Sequence, residues 1–296
     1  MKSPFECVAL IGRHQTPGVA ETVGQIAAFL RDRGHRVLID SSTAGSIELP
    51  GVEEADSAQI ASQASLGIAI GGDGTMLGFA RQLAAAEVPL VGINHGRLGF
   101  ITDISLQSWR DALAAILEGH YDAEDRSLLL ARASRDGEEV WRDLALNDVV
   151  VNRSSRSGMI ELEVNVDGVY MYTQRADGLI VATPTGSTAY ALSANGPILH
   201  PRLAGLVMVP VAPHSLSNRP IALPDDVEIR IRVVDGREPR VGCDMQVFTD
   251  LQSGDDIIVQ RAPFTIRFLH PVGYSYFATL RSKLYWHEFP IIQPRP

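Results

Sequence analysis

Lysine is almost absent. Lys2 and Lys283 are the only two in 296 residues. A phosphate-binding P-loop needs a lysine inside GxxxxGK[ST], and neither lysine follows such a loop. That common nucleotide-binding architecture is excluded, so any phosphate site must be built differently. Cysteine is equally scarce. Cys7 and Cys243 lie far apart and form no CxxC pair, which leaves no disulfide framework to read. Two packed thiols in a reducing cytoplasm are expected instead. No apolar run approaches the roughly 18 residues of a membrane span. Pro4 and Glu6 interrupt the stretch where the apolar part of a signal peptide would begin. Positive charge is also short. A formal net charge of −9 argues against non-specific nucleic-acid binding, which needs a basic field. The eight histidines show no HExxH or HxH spacing, so no protein metal site is expected. There is no GxSxG elbow for a serine hydrolase. No GxGxxG follows the first apolar run, which disfavours a Rossmann dehydrogenase.

The chain does carry an ordinary globular balance, 45% hydrophobic and 21% charged, which buries a core without staples. At roughly 100–200 residues per domain, its length suggests two domains or one large one. In the first third, short apolar runs alternate with helical spacing. Cys7-Val8-Ala9-Leu10-Ile11, Val37-Leu38-Ile39, Leu66-Gly67-Ile68-Ala69-Ile70 and Leu90-Val91-Gly92-Ile93 read as buried parallel strands. Val19, Val23, Ile26, Ala27 and Leu30 share one helical face, stopped by Gly34. Met76, Leu77, Ala80 and Leu83 share another. Ser105 is placed to cap a helix carrying Trp109, Leu113, Ile116 and Leu117, ended by Gly119. The polar, acidic stretch 41–58 reads as a loop. This alternation predicts a Rossmann-like parallel sheet with flanking helices. From about residue 121 the texture becomes β-rich. Asp136-Gly137, Asp167-Gly168, Asp235-Gly236 and Ser253-Gly254 supply turns between short strands, with a short helix after Gly186. Helical character returns at 276–285. The texture thus divides the chain into an α/β stretch of residues 1–120, a β-rich stretch of 121–274 and a helical tail of 275–296.

Three constellations could carry chemistry. Gly71-Gly72-Asp73-Gly74-Thr75 sits between an apolar strand and a helix, at the strand end where open α/β sheets bind ligands. Glycines let backbone N–H groups approach an anion, and a helix N-terminus favours phosphate. A carboxylate there repels phosphate, unless Asp73 takes a proton from a hydroxyl nucleophile. The other reading is a tight turn with Asp73 as the helix N-cap. In Leu146-Asn147-Asp148-Val149, an amide and a carboxylate interrupt an apolar run. They suit the two hydroxyls of a ribose, or an Asx turn or bulge between strands. Asp177-Gly178-Leu179-Ile180-Val181-Ala182-Thr183-Pro184-Thr185-Gly186-Ser187-Thr188-Ala189-Tyr190 runs from strand to helix through small hydroxyl residues. These suit the phosphates and sugar edges of a dinucleotide, or a well-capped helix start. The arginine-rich piece from Arg153 to Arg156 reads as a solvated face.

Taken in order, these motifs resemble the bacterial NAD kinase family. Gly92-Ile93-Asn94 with Gly96-Arg97-Leu98-Gly99-Phe100-Ile101-Thr102-Asp103 adds a fourth block. His270-Pro271 with Tyr274-Ser275-Tyr276-Phe277 adds a fifth. GGDGT is shared with diacylglycerol and sphingosine kinases, whereas TPTGSTAY is far more specific to NAD kinases. The resemblance spans nearly the whole chain. It implies an N-terminal α/β domain, a C-terminal β-rich domain, and a C-terminal tail returning to the first.

It also implies transfer of the ATP γ-phosphate to the 2′-hydroxyl of the adenosine ribose of NAD. Asp73 then matches the proton acceptor, with Gly74 beside the substrate and Gly71, Gly72, Gly74 and Thr75 forming the phosphate loop. Asn147 and Asp148 match the ribose-binding pair; Asp148 stands where the family often has Glu, one methylene longer. Arg175 and Asp177 match a charged pair. Thr188, Ala189, Tyr190, Ala191, Leu192 and Ser193 match a segment closing over the dinucleotide, and Gln246 a late substrate contact. Gly158 falls where some relatives carry a basic or histidine side chain. Mg²⁺ is expected on ATP rather than in a protein cage. NAD and ATP are the implied partners, with a cytoplasmic homodimer or homotetramer. A lipid kinase sharing GGDGT leaves TPTGSTAY unexplained, and a non-catalytic nucleotide sensor leaves Asp73 without a task.

Overall fold

The computed structural model of the chain describes residues 3–12, 18–44, 49–96, 99–154 and 158–286. It divides into two units. The first holds Met1–Met76, Val88–Glu124 and Phe268–Pro296; the second holds Leu77–Glu87 and Asp125–Arg267.

In the first unit, the apolar runs become strands β1 (Cys7–Gly12), β2 (Arg36–Asp40), β3 (Glu53–Ala55), β4 (Leu66–Gly71), β5 (Leu90–Asn94) and the short β6 (Ile104–Ser105). They lie parallel in the order β3-β2-β1-β4-β5, with β6 on β5. Leu10 stands opposite both Ile39 and Ile68, and Ile68 opposite Val91. Helices α1 (Val19–Asp32), α2 (Ser41–Ala44), α3 (Ser57–Gln63), α4 (Asp73–Leu83) and α5 (Trp109–Leu117) connect them. Val8, Leu10, Ile39, Ile68, Ile70, Val91 and Ile93 share one core with Val23, Ile26 and Leu30 of α1 and Leu113 and Ile116 of α5. Phe29 meets Trp109 edge-on at 5.3 Å. Strand order reverses between β1 and β4. In such sheets, the carboxyl ends of the strands at that point form the ligand crevice. The Gly71–Thr75 loop leaves β4 at this end.

Two local expectations need correcting. The stretch 41–58 is not all loop: it contains α2, β3 and the start of α3, with Leu38 opposite Glu53. The edge strand β3 is too short and too acidic to show alternation. Ser105 does not cap α5. It ends β6, and the cap position is Ser108, whose Oγ lies 2.9 Å from the Ser105 hydroxyl.

The second unit begins with β7 (Asp122–Arg135, from Asp125 onward), β8 (Glu138–Ala145), β9 (Asp148–Arg153), β10 (Ile160–Val166), β11 (Val169–Ala176) and β12 (Gly178–Ala182). After the short helix α6 (Tyr190–Ser193) follow β13 (Gly205–Val211), β14 (Ile221–Pro224), β15 (Ile229–Gly236), β16 (Pro239–Cys243), β17 (Val247–Asp250) and β18 (Asp256–His270). One sheet runs β14-β13-β12-β9-β16-β17, and β11-β10-β15-β18 are hydrogen-bonded in that order. Between them pack Val149, Val151, Leu162, Val164, Leu179, Val181, Ile229, Ile231 and Val241. The opposite face of the first sheet is also covered, with Val150, Ile180, Ala182, Val207 and Val209 packed on Ala191 and Leu199. Burial on both faces explains why β9 and β12 read as continuous apolar runs. Asp136 and Gly137, and Asp167 and Gly168, all have positive φ, the form that suits two-residue hairpins.

The last residues of β18, 268–270, belong to the first unit, where Phe268 stands opposite Leu90. Helix α7 (Tyr276–Leu284) follows in the same unit, capped by the Ser275 hydroxyl. The stretch 77–87 clusters with the second unit, where Arg81 ion-pairs with Asp244. Both cysteines are free and buried. Among the described residues, no helix is long and apolar enough to cross a membrane.

Candidate active site

In the first unit, β4 ends at Gly71 and α4 begins at Asp73. Gly72 and Gly74 are exposed. The Asp73 carboxylate turns to the loop that follows β5 rather than to its own helix. Oδ2 accepts from the Phe100 N–H at 2.8 Å. Oδ1 accepts from the Ile101 N–H at 3.3 Å, the Thr102 N–H at 3.2 Å and the Thr102 hydroxyl at 2.9 Å. Thr102 is fully buried and also accepts from the Asn94 amide at 2.9 Å. Gly99 lies against this carboxylate so closely that a Cβ there would sit 1.8 Å from Oδ1. Arg97 and Leu98 of the same sequence block lie outside the described residues.

In the second unit, Asn147 and Asp148 occupy the step from β8 to β9. Their backbone is gathered by one carboxylate. Asp244 accepts from the N–H groups of Leu146, Asn147 and Asp148 at 3.1, 2.7 and 3.3 Å. Arg81 reaches the same carboxylate at 2.6 Å and the Gln246 side-chain oxygen at 2.9 Å. Thr183 closes the other side. Its N–H donates to the Asn147 carbonyl at 2.9 Å and its hydroxyl to the Leu146 carbonyl at 2.6 Å. Gly186 passes directly beneath, where a Cβ would stand 1.9 Å from the Asn147 oxygen. The Arg126 guanidinium donates to the Thr185 hydroxyl at 3.1 Å.

This cluster is electrostatically unusual. Asp148 is 2% exposed, and among the described residues its Oδ1 accepts no hydrogen bond. Burial, and then the neighbouring Asp244 charge, push its carboxyl up to about 7. Burial also raises Asp244, against the pull of Arg81 and the backbone N–H donors. Since Asp244 has those donors and Asp148 Oδ1 has none, the first proton taken up belongs on Asp148. Burial and Asp244 together raise the Cys243 thiol, so this cysteine is a packing group, not a nucleophile. Among the described residues, no three His, Cys, Asp or Glu side chains cluster in a way that could hold a metal ion.

Residues 8–121 match the family model for the ATP-NAD kinase N-terminal domain, and residues 146–271 match that for the ATP-NAD kinase C-terminal domain. The chain belongs to the ATP-NAD kinase family. It is 56% identical over 286 residues to an NAD kinase of Burkholderia mallei (strain SAVP1), covering 97% of this chain and 95% of the relative. It is 55% identical over 288 residues to an NAD kinase of Paraburkholderia phytofirmans (strain DSM 17436 / LMG 22146 / PsJN), covering 97% and 96%. Among solved structures, yeast NADH kinase complexed with NADH superposes with a TM-score of 0.90 at 24% identity, covering 99% of this chain and 91% of that one. An NAD kinase from Archaeoglobus fulgidus in complex with ATP gives 0.70 at 25% identity, covering 94% and 97%. The two-domain NAD kinase fold, α/β followed by β-rich with a returning tail, is therefore the fold of this chain.

The remaining expected site residues of this NAD kinase family member differ in setting. Arg175 and Asp177 do not pair with each other. Arg175 is exposed and bonds Glu161 across the β10–β11 ladder at 2.7 Å, whereas Asp177 takes the Arg153 guanidinium at 3.1 Å. The Thr188 hydroxyl donates to the Thr185 carbonyl at 3.0 Å. Ala189 takes φ −100° and ψ −126°, the break between the 3₁₀ turn and α6. Tyr190 and Ser193 line a cavity of about 570 Å³ with Ala212, Asn218 and Arg219. Ala191 instead buries its methyl against β9 and β12, and Leu192 is half-buried. Gly158 is exposed, with nothing near a built Cβ. Sequence reasoning gave no role to Thr102, Asn94, Asp244 or Arg81. Two of them had a visible signal: Asn94 is a polar end to an apolar strand, and Asp244 is an acid beside a buried cysteine. Thr102 and Arg81 had none.

Proposed function

We propose that this chain makes NADP by in-line transfer of the ATP γ-phosphate to the 2′-hydroxyl of the adenosine ribose of NAD. The family membership and the strong identity to curated NAD kinases support the activity. One observation carries the mechanism: Asp73 is fixed by four donors beside the glycine loop, and three of the four fall on Oδ1. A carboxylate has about four lone-pair sites, so Oδ2, with one donor, keeps a direction for a substrate hydroxyl. The 2′-oxygen attacks the γ-phosphorus as the bond to the β,γ-bridging oxygen breaks. ADP leaves with the electron pair, and the hydroxyl proton passes to Asp73. Gly71, Gly72, Gly74 and Thr75 form the phosphate loop at the start of α4; Gly72 and Gly74 are its exposed members, whereas the Thr75 N–H is turned onto the Gly72 carbonyl at 3.0 Å.

Asn147 and Asp148 take ribose hydroxyls, and Gln246, Arg175, Asp177 and residues 188–193 contribute to the dinucleotide site. The unit of Met1–Met76, Val88–Glu124 and Phe268–Pro296 carries the GGDGT loop, and the unit of Leu77–Glu87 and Asp125–Arg267 carries the proposed ribose pair. Mg²⁺ enters as part of the substrate, on ATP, neutralising charge on the phosphates. The enzyme works in the cytoplasm as a homodimer or homotetramer.

The test is Asp73→Asn assayed with NAD and Mg-ATP. The amide keeps the shape but cannot take the proton, so kcat falls by about 10²–10⁴-fold. Near-normal turnover in a folded variant would remove Asp73 from the chemistry.

A further inference from the structure

His270 lies outside the chemistry described so far, yet few side chains in the first unit are so fully engaged. It is 2% exposed. Its Nδ1 lies 2.9 Å from Asp103 Oδ2, and its Nε2 lies 3.6 Å from Glu124 Oε2. The ring stacks on Tyr274 at 3.9 Å, with planes within 8°, and Phe268 meets it edge-on at 6.4 Å. Both carboxylates are nearly buried, Asp103 at 11% and Glu124 at 14% side-chain exposure. Bringing two acids and an imidazole out of water is costly unless close attraction and hydrogen bonds repay it, which ties the three groups into one geometry.

What it fixes is the loop that grips Asp73. Asp103 directly follows Thr102, and residues 100–102 supply all four donors described for the Asp73 carboxylate. Before them, the Gly99 N–H closes the turn onto the Thr102 carbonyl at 3.2 Å. After them, Ile104 pairs with Ile93. The loop is thus anchored by backbone at both ends. Its one charged side chain within the described residues, Asp103, is tied to His270. An ionised carboxylate only accepts, so Nδ1 carries the hydrogen.

We infer that His270 is a positioning residue for the phosphoryl-transfer step: it holds Asp103, and through it the 100–102 backbone, so that Asp73 presents Oδ2 to the reacting hydroxyl. The role is distinct from substrate binding. It rests on Asp73 being the partner of that hydroxyl.

The experiment is a double-mutant cycle on the full chain, with kcat and both KM values measured. His270→Leu lowers kcat on the order of tenfold to a hundredfold, the scale of a small misplacement. KM for NAD and KM for ATP stay within about twofold, as uniform binding is untouched. In the Asp73→Asn background, the same change costs no further kcat, because residues acting as one unit are non-additive. A full additional loss there overturns the inference while leaving Asp73 in place. Normal turnover in Asp73→Asn alone instead overturns the reading beneath it. Should His270→Leu fail to fold, the polar pair decides. His270→Asn places an N–H near Nδ1 and retains most of kcat; His270→Gln places one near Nε2 and does not. Equal rates, or the reverse order, reject the role.

Discussion

Asp73 illustrates how a loop carboxylate is aimed. Its two oxygens are unequally loaded, three donors against one, and the neighbour that permits this is a residue without a side chain. A Cβ on Gly99 would stand 1.8 Å from Oδ1 and 2.2 Å from the Thr102 hydroxyl. Neither can retreat without breaking the network. Gly99→Ala should therefore leave the fold intact and cut kcat by about 10²-fold, the cost of roughly 1 Å of misplacement. The comparison is Gly158→Ala, where a Cβ meets nothing within 4 Å. Its φ of 105° costs stability of about 1–3 kcal/mol, and turnover stays normal. Equal turnover in the two variants would show that crowding at Asp73 is irrelevant. At this scale, the sequence was legible where chemistry is local. GGDGT announces a carboxylate in a glycine loop. Its partners 27–29 residues away follow no period, so only the folded chain shows that Thr102 and Asn94 complete the site.

Elements β8, β9 and β16 meet at the Asn147-Asp148 step of the second unit, and their junction gathers acidic charge. Asp148 begins β9, and Asp244 follows β16. Residues Asp244 and Met245 both take left-handed φ, 53° and 54°, which turns the Asp244 carboxylate onto the β8–β9 step. A carboxyl at about 7 in the folded chain against 3.8 ordinarily has a definite consequence. Between these values the folded protein holds a proton that the unfolded chain has released, so stability falls as pH rises through the window. Below pH 4 the contribution is fully present; above pH 7 it is lost. Asp148→Asn is neutral throughout and removes this slope. The variant should gain on the natural chain as pH rises, by up to about 4 kcal/mol at pH 8, and the two should converge near pH 4. Denaturant unfolding at pH 5 and pH 8 measures this; a gain that is equal at both pH values refutes the raised carboxyl. The strands themselves were readable from continuous apolar runs, because both faces of that sheet are buried. Asx turn and ribose grip could not be told apart in sequence, since both use the same Asn147 and Asp148.

For the whole molecule, the α/β-then-β-rich order was legible because period 3.6 and period 2 occupy different stretches. The assignment of 77–87 was not. Its apolar positions continue the periodicity of α4, but Arg81 belongs with Asp244 and Gln246, a pairing across more than 160 residues. Lysine scarcity acts at this scale too. Arginine carries nearly all positive charge, and its planar fork engages Asp244 and Gln246 at once, which an ammonium does less well. Binding and chemistry should then separate cleanly. A ligand that binds only the folded state at about 100 times its Kd adds about 2.7 kcal/mol, which lifts the melting temperature by roughly 4–8 °C in a chain of this size. NAD should give that lift to the natural chain and to Asp73→Asn, whose amide still bonds a hydroxyl. On the proposed ribose contact, Asn147→Ala weakens NAD binding without touching Asp73, so its lift shrinks while its melting temperature without NAD changes little. A full lift in Asn147→Ala would place the dinucleotide elsewhere. A lost lift in Asp73→Asn would make Asp73 chiefly a binding residue, and its fall in kcat would then follow from an empty site rather than from a missing base.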